Sequence, residues 1–229
     1  MPRPTTEHAH AETGTIRRGA MLALPLAVVV ALFGIPYAVI ATSLPEMGAV
    51  AAIVMSTTTF AGSAQIAAVS ILATGGQPLA AILAAVLLNL RYGPIGVSVA
   101  PFVRGGAVRR FLVGQLVVDE SWAVASRGDG RFDARTLIGA GIVLWAAWVM
   151  GTVIGVAGGE WLGDPTSLGL DAAFPALFLA LVAPQLRSRR AMLTALAGAG
   201  IALALLPLTP SGVPIIAASA AALIGWWRG

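Results

Sequence analysis

The chain has 229 residues, of which 58% are hydrophobic and only 10% are charged. A soluble domain would carry charge on about a quarter of its residues, and a surface this apolar would aggregate in water. Cysteine is absent, which excludes disulfides and thiolate metal sites. The composition therefore excludes a soluble globular protein and predicts an all-α polytopic bundle of transmembrane helices whose solvent is the lipid bilayer.

The net charge of +4 comes from arginines that lie at the ends of apolar segments. Arginines in such places set the orientation of a membrane protein and meet anionic headgroups, so we expect no nucleic-acid partner. We predict a disordered cytoplasmic tail over residues 1–16 and a single transmembrane domain over residues 17–229.

The hydropathy pattern predicts about eight helical segments, one or two of them broken or re-entrant. The first, Gly19–Ala41, is uncharged and long enough to span a ~30 Å hydrocarbon core. The uncharged run Met47–Leu90 has room for two crossings, and Gly and Pro place a turn at residues 74–78. The later segments are predicted at Leu79–Val103, Phe111–Ser126, Thr136–Gly159, Leu168–Leu186 and, divided by prolines, Ala191–Trp227.

The distribution of arginines predicts the orientation, because cytoplasmic loops are enriched in them. Eight crossings put both termini in the cytoplasm, but they leave Arg104, Arg109 and Arg110 on the outer side. Either the rule fails there, or one segment between Met47 and Ser126 enters the membrane and returns. The third and fourth segments are the suspects because they carry charges.

The first candidate site is the polar stretch around Thr58, Gly62 and Gln65, whose spacing of i, i+4 and i+7 predicts a shared helix face. Glycine would let a ligand approach closely, and the Gln65 amide offers both donors and an acceptor. Packing of small and hydroxyl residues between helices is the alternative interpretation.

The second candidate site contains Asn89, Arg91 and Tyr92, followed by Pro94. Proline removes a helical hydrogen bond and crowds the carbonyl of Leu90, which predicts a kink or break. A broken helix beside a guanidinium suits the carboxylate of an amino acid. Alternatively, the Arg91 side chain extends to the interface or only neutralises an acid.

The third candidate site is Asp119 with Glu120, which we predict as proton-coupling residues. Neighbouring carboxylates at low dielectric disfavour a second negative charge, which suits a proton carrier. Gln115 and Trp122 would share a helix stripe with Asp119; alternatively, the segment lies near the surface and both acids are solvated. Asp171 near a helix start suits a structural role.

No catalytic residues, metal site or cofactor are expected. The pair His8 and His10 lies in the tail without further ligands, and no zinc-protease, nucleophile-elbow or phosphate-loop motif occurs. An enzyme is therefore the weaker hypothesis, behind a transporter and behind a membrane scaffold or sensor whose charges serve assembly.

Several of these stretches, in the same order, resemble the AzlC-like branched-chain amino-acid permeases. The resemblance covers about residues 17–186 and rests on Phe60–Gln65, Leu88–Arg91, Asp119-Glu120, Trp148–Thr152, and Asp171 with Pro175–Phe178. It implies a bacterial inner-membrane permease that exports branched-chain or similar small apolar amino acids, together with a small AzlD-like membrane protein.

Two positions depart from the pattern of that family. The family usually has His where this chain has Tyr92, and Thr where it has Val118. The missing histidine bears on any proton-coupling step that would use it, and on the choice of substrate.

Overall fold

The computed structural model describes residues 14–162 except positions 74 and 129, then 188–209 and a few isolated positions. The described chain is helical apart from one isolated bridge between Ser126 and Phe132, which confirms the predicted class, a helical membrane bundle. The helices are α1 Ile16–Ser43, α2 Ala49–Thr59, α3 Gly62–Ala73, α4 Pro78–Asn89, α5 Tyr92–Val99 with a 3-10 turn Ala100–Phe102, α6 Ala107–Gly114, α7 Asp119–Ala125, α8 Ala134–Leu162 and α9 Arg189–Leu205.

Some sequence predictions fall outside the described residues. These are most of the predicted tail, nearly all of the sixth segment with Asp171, and the end of the last segment. At the inner boundary of the predicted tail, the Thr15 side chain accepts a hydrogen bond from the Arg18 amide at 3.0 Å and so caps α1.

Three stretches are long and apolar enough to cross a membrane: Ile16–Ser43, Pro78–Phe102 and Ala134–Gly158. The second of these consists of α4 and α5, joined at Leu90 and Arg91. α2 and α3 have 11 and 12 residues, and α6 and α7 have 8 and 7. At 1.5 Å per residue, each reaches at most about half-way through the hydrocarbon core.

The centre of the bundle is the pair α1 and α8, which lie parallel and in very close contact. A side chain at Gly19 would meet the Thr136 backbone, and one at Gly151 would meet the Ala31 backbone. Partner numbers increase together along both helices, so both run in the same direction. Small residues let helix backbones approach in this way in membranes, where packing rather than hydrophobicity holds helices together.

Gly151→Ala is expected to lower the unfolding midpoint of the purified protein in detergent. Its methyl group would collide with the Ala31 carbonyl, and overpacking of this kind costs about 1–3 kcal/mol. Gly96→Ala is the matched control, since a methyl group there meets nothing within 4 Å. Equal midpoints for the two variants would contradict the close α1–α8 contact.

Helices α2 and α3 form a re-entrant hairpin, here called the first hairpin (residues 49–73). Ser56 shares a 2.7 Å hydrogen bond with Thr152, and one residue later the Thr57 carbonyl accepts from the Trp145 indole at 2.9 Å. Since Trp145 precedes Thr152 in α8, α2 runs from the end of α8 towards its middle. Phe60, in a left-handed conformation with φ 41°, reverses the chain, and α3 returns so that Gln65 lies beside Ser56.

Helices α6 and α7 form a second hairpin (residues 107–125), which enters from the opposite end. Leu116 lies against Gly141, and Val118 packs in one cluster with Leu144, so this part of the chain runs along α8 in the direction of its carboxyl end. α7 then runs back, because Ala125 packs with Leu137 near the start of α8. The tip of this hairpin is therefore at residues 115–118, near the middle of the bundle.

The two hairpins explain the arginines that the crossing count could not place. The Phe102 ring lies 5.9 Å from the Phe132 ring, which precedes α8; α5 therefore ends where α1 and α8 begin. We call this the basic end, and the opposite one the far end. The second hairpin begins and ends at the basic end. The arginines at this end are Arg17, Arg18, Arg104, Arg109, Arg110, Arg127, Arg131 and Arg135. Two segments enter and return, where the sequence suggested one.

The Asp133 side chain connects the start of α8 to the neighbouring segments at the basic end. Its carboxylate accepts from the Thr136 amide at 2.8 Å, the Gly14 amide at 3.1 Å and the Arg127 guanidinium at 2.8 Å. Burial raises the pKa of Asp133, but these hydrogen bonds and the Arg127 charge together hold it below its usual value. The anchor is therefore ionised at neutral pH and weakens only in acid.

Candidate functional site

Three interruptions of helical structure meet at the same depth of the bundle. They are the tip of the first hairpin at Phe60, the joint of α4 and α5 at Leu90–Arg91, and the tip of the second hairpin. They surround a small cavity of about 40 Å³, here called the central cavity. Its lining comprises Val30, Phe33, Phe60, Gly62, Ser63, Arg91, Tyr92, Val118, Asp119, Glu120, Leu144 and Trp148.

The Arg91 guanidinium connects all three interruptions. Its Nη2 donates to Ser63 Oγ of the first hairpin at 2.8 Å and lies 3.1 Å from Asp119 Oδ2 of the second. The same nitrogen lies 3.4 Å from the Tyr92 hydroxyl, and the guanidinium carbon is 5.1 Å from the centre of the Tyr92 ring. Both Arg91 and Asp119 are 19% exposed, so this ion pair is shielded from most of the surroundings.

The two acids of the site differ in their environment. Asp119 faces Arg91, whereas Glu120 is only 9% exposed and forms no salt bridge within the described part of the chain. Both acids lie in the first turn of α7, where the helix dipole favours negative charge. Ser121 completes that turn, since its hydroxyl accepts from the Val118 amide at 2.9 Å; Val118 itself has no side-chain acceptor for this purpose.

Helix amino ends converge on the central cavity. α3 begins at Gly62 and α5 begins at Tyr92, and both residues line it. The first amides of a helix have no partner within the helix, and the dipole makes that end positive. In α5, however, the Gly93 amide donates to the Leu90 carbonyl at 3.0 Å and Pro94 has no N–H, so this end adds little. With the guanidinium of Arg91, the amino end of α3 creates a positive region that suits an anionic group such as a carboxylate.

The central cavity also has apolar lining residues. They are Val30 and Phe33 of α1 and Leu144 and Trp148 of α8. Trp148 is 2% exposed, and its indole nitrogen has no hydrogen-bond partner among the described residues.

The central cavity is small in this conformation. Sites for small molecules usually enclose about 300–1,000 Å³, far more than the 40 Å³ present here. A molecule the size of an amino acid therefore requires one of the hairpins, or a side chain between them, to move.

The structure brings together five of the eight residues predicted as site residues. These are Gly62, Arg91, Tyr92, Asp119 and Glu120, which all line the central cavity. The break between α4 and α5 at Leu90–Arg91, as the sequence predicted near Pro94, is what places Arg91 at this depth.

The predicted common face of Thr58, Gly62 and Gln65 is wrong, because α2 ends at Thr59 and the chain reverses at Phe60. Thr58 is exposed and its hydroxyl donates to the Val54 carbonyl of its own helix at 2.8 Å. The predicted stripe of Gln115 with Asp119 is wrong for the same kind of reason, since α6 ends at Gly114 and α7 begins at Asp119.

Gln65 and Asn89 lie away from the central cavity. Gln65 is fully buried inside the first hairpin; its oxygen accepts from the Ala61 amide at 3.1 Å and its nitrogen lies 3.5 Å from Ser56 Oγ. Gln65 therefore stabilises the tip of the first hairpin without lining the central cavity. Asn89 lines an apolar groove beside α3 and α4, and its buried Oδ1 has no hydrogen-bond partner among the described residues.

Seven residues that line the central cavity were not predicted as site residues, and Ser63 and Trp148 are the two with polar groups that bear on the site. Ser63 carries the hydrogen bond that joins Arg91 to the first hairpin. Its position next to Gly62 could have indicated it, but the shared-face argument favoured Gln65. Trp148 lies in the uncharged middle of α8. The family resemblance at Trp148–Thr152 was the signal that could have indicated it.

Comparison with known proteins places the site within a family pattern. The family model described as AzlC protein matches residues 25–162, which include every residue that lines the central cavity. An uncharacterized membrane protein of Archaeoglobus fulgidus is 29% identical over 226 residues, covering 97% of this chain and 99% of that protein. No solved structure matches the chain.

Proposed function

Because the chain belongs to the AzlC family, which is associated with membrane transport, we propose that it is a secondary transporter that exports branched-chain or similar small apolar amino acids. The observation that carries this proposal is the mixed lining of the central cavity. Arg91 and the amino end of α3 suit the carboxylate, and Val30, Phe33, Leu144 and Trp148 suit an apolar side chain.

The hairpins supply a physical basis for alternating access. They enter from opposite ends and touch the same guanidinium, through Ser63 and Asp119. Movement of either tip would open the cavity to one end while the other tip keeps the opposite end closed. The small size of the central cavity fits a conformation between those two openings.

Glu120 is the proposed site of proton coupling. Among the described residues Asp119 is paired with Arg91, so the buried Glu120 carboxyl is the acid that can gain a proton without breaking an ion pair. Proton binding and release at the tip of the second hairpin would link its movement to the proton gradient.

The charge distribution supports an orientation. Eight arginines lie at the basic end, while the loop between α1 and α2 at the far end carries Glu46. By the positive-inside rule, we propose that the basic end faces the cytoplasm of a bacterial inner membrane. The small AzlD-like membrane protein implied by the family remains the proposed partner.

A scaffold or sensor subunit is the second candidate, favoured by the Arg91–Asp119 pair. With 3.1 Å between Nη2 and Oδ2, that pair satisfies two membrane charges without any ligand. A scaffold would need these charges for assembly but would move no amino acid.

The experiment that tests transport uses cells loaded with leucine, isoleucine and valine through dipeptides. We expect faster efflux of all three when the chain is produced with a small AzlD-like membrane protein, and no change in lysine or aspartate efflux. A chain that assembles in the membrane with its partner but leaves all effluxes at the level of cells lacking it would contradict the proposal and favour the scaffold.

A further inference from the structure

A second cavity lies between the central cavity and the basic end. It occupies about 180 Å³ between α5 and the rising helix of the second hairpin, α6. Tyr92 and Val117 line it at the depth of the hairpin tip, and Val103 and Arg110 line it at the basic end. We call this space the α5–α6 passage.

Small residues keep the α5–α6 passage open. Gly96, Ala100 and Gly114 line it, and a side-chain carbon added at either glycine meets no atom within 4 Å. Gly114 and Arg110 are exposed, so the passage opens to the surface of the described part of the chain. The space beside the two glycines can therefore hold a larger group than the residues that line it.

Tyr92 lines both the central cavity and the α5–α6 passage. Its ring lies beside the Arg91 guanidinium, with 5.1 Å between the guanidinium carbon and the ring centre. A tyrosine side chain changes position by rotation about single bonds, on a timescale far shorter than that of helix movements. The barrier between the two cavities thus includes one side chain that can rotate.

The barrier towards the far end is much thicker. Tyr37, Ser56, Gln65 and Thr152 are all fully buried there. Ser56 joins Thr152 at 2.7 Å, and the Tyr37 hydroxyl donates to the Ala52 carbonyl at 3.3 Å. Opening on that side would require the first hairpin to separate from α1 and α8.

From this asymmetry we propose that the transported molecule reaches the central cavity from the basic end through the α5–α6 passage, and that the Tyr92 side chain is the gate between them. The inference rests on the proposed function, since it takes the central cavity as the transport site. Arg110 at the entrance attracts a carboxylate. A carboxylate that binds Arg91 competes with the Tyr92 ring for the guanidinium, which couples arrival of the molecule to opening of the gate.

The chain contains no cysteine, so single introduced cysteines report which positions water reaches. In membrane vesicles, Gly96→Cys and Gly114→Cys are expected to react with an anionic, membrane-impermeant methanethiosulfonate at least 10-fold faster than Val97→Cys. Val97 is 74% exposed on the outer surface of α5 and is the matched lipid-facing control. The reaction should occur from the basic end only, as judged by comparing vesicles of the two orientations.

The gate is tested by Ser63→Cys in the central cavity. We expect this cysteine to react slowly with native Tyr92 or with Tyr92→Phe, and at least 10-fold faster from the basic end with Tyr92→Ala. Reaction of Ser63→Cys at one rate in all three backgrounds would overturn the gate, and passage cysteines no faster than Val97→Cys would overturn the route. Labelling requires no substrate, so failure of the efflux test leaves these outcomes distinguishable from failure of the proposed function.

Discussion

Replacement of both Arg91 and Asp119 by alanine is expected to yield a folded protein that no longer exports branched-chain amino acids. Arg91 is the charged donor that lines the central cavity. Hydrogen bonds to charged groups contribute about 1.5–3 kcal/mol, so loss of the guanidinium should weaken binding of the amino acid by about 10- to 150-fold. Binding to detergent-solubilised protein and efflux from loaded cells measure the two effects.

The double variant separates binding from ion pairing. Arg91→Ala alone leaves Asp119 as an uncompensated buried charge, and such losses cost about 3–5 kcal/mol of stability; we therefore expect a lower unfolding midpoint. Replacing Asp119 as well removes that unpaired charge, so the unfolding midpoint should return most of the way to that of the native protein. If the double variant also regained leucine efflux, Arg91 would serve only to neutralise Asp119 and the carboxylate role would be wrong.

The path of the chain shows how far hydropathy predicts a membrane fold. Segment existence follows from runs of apolar residues, and α1 and α8 lie where those runs predict. For the uncharged run Met47–Leu90, however, hydropathy gives only the number of apolar residues. Two half-helices that enter and return are as apolar as one full crossing, so hydropathy does not distinguish them. The reversal occurs at Phe60, a residue type that rarely adopts a left-handed conformation, so no local residue preference indicates it.

The arginines held the missing information about topology. Arg104, Arg109 and Arg110 conflicted with simple alternation of crossings, and that conflict correctly indicated a re-entrant segment before α8. Charge distribution could not indicate the first hairpin, because residues 49–73 contain no charged residue. Two hairpins therefore follow from the structure, and only one of them from the sequence.

The charged residues of the candidate site were easier to predict from the sequence than the uncharged ones. Arg91, Asp119 and Glu120 are expensive in a membrane, so their presence alone marks a functional region. Gln65 and Thr58 were selected by helical periodicity, which fails when the helix ends between them. Polar residues near a chain reversal can hold the turn itself, as Gln65 does through Ala61.

Glu120→Gln is expected to uncouple transport from the proton gradient while leaving exchange intact. Glutamine keeps the shape of the side chain and resembles the neutral, protonated carboxyl, but it cannot gain or lose a proton. In proteoliposomes containing the chain and its partner, leucine–leucine exchange should stay within about 2-fold of the native rate, since Arg91 still holds the carboxylate. Leucine movement driven by an imposed pH gradient should fall by at least 10-fold, because a single charge change in this site removes the coupled proton.

Glu46→Gln is the matched control, since it makes the same chemical change at an exposed position in the loop before α2. It should alter neither exchange nor gradient-driven flux. Asp119→Asn is the informative comparison: Asp119 orients Arg91 at 3.1 Å, so its loss should impair exchange and gradient-driven flux together. Gradient-driven transport that persists in Glu120→Gln but is lost selectively in Asp119→Asn would transfer the proton role to Asp119, and the ion pair at the hairpin tip would then have to break in every transport cycle.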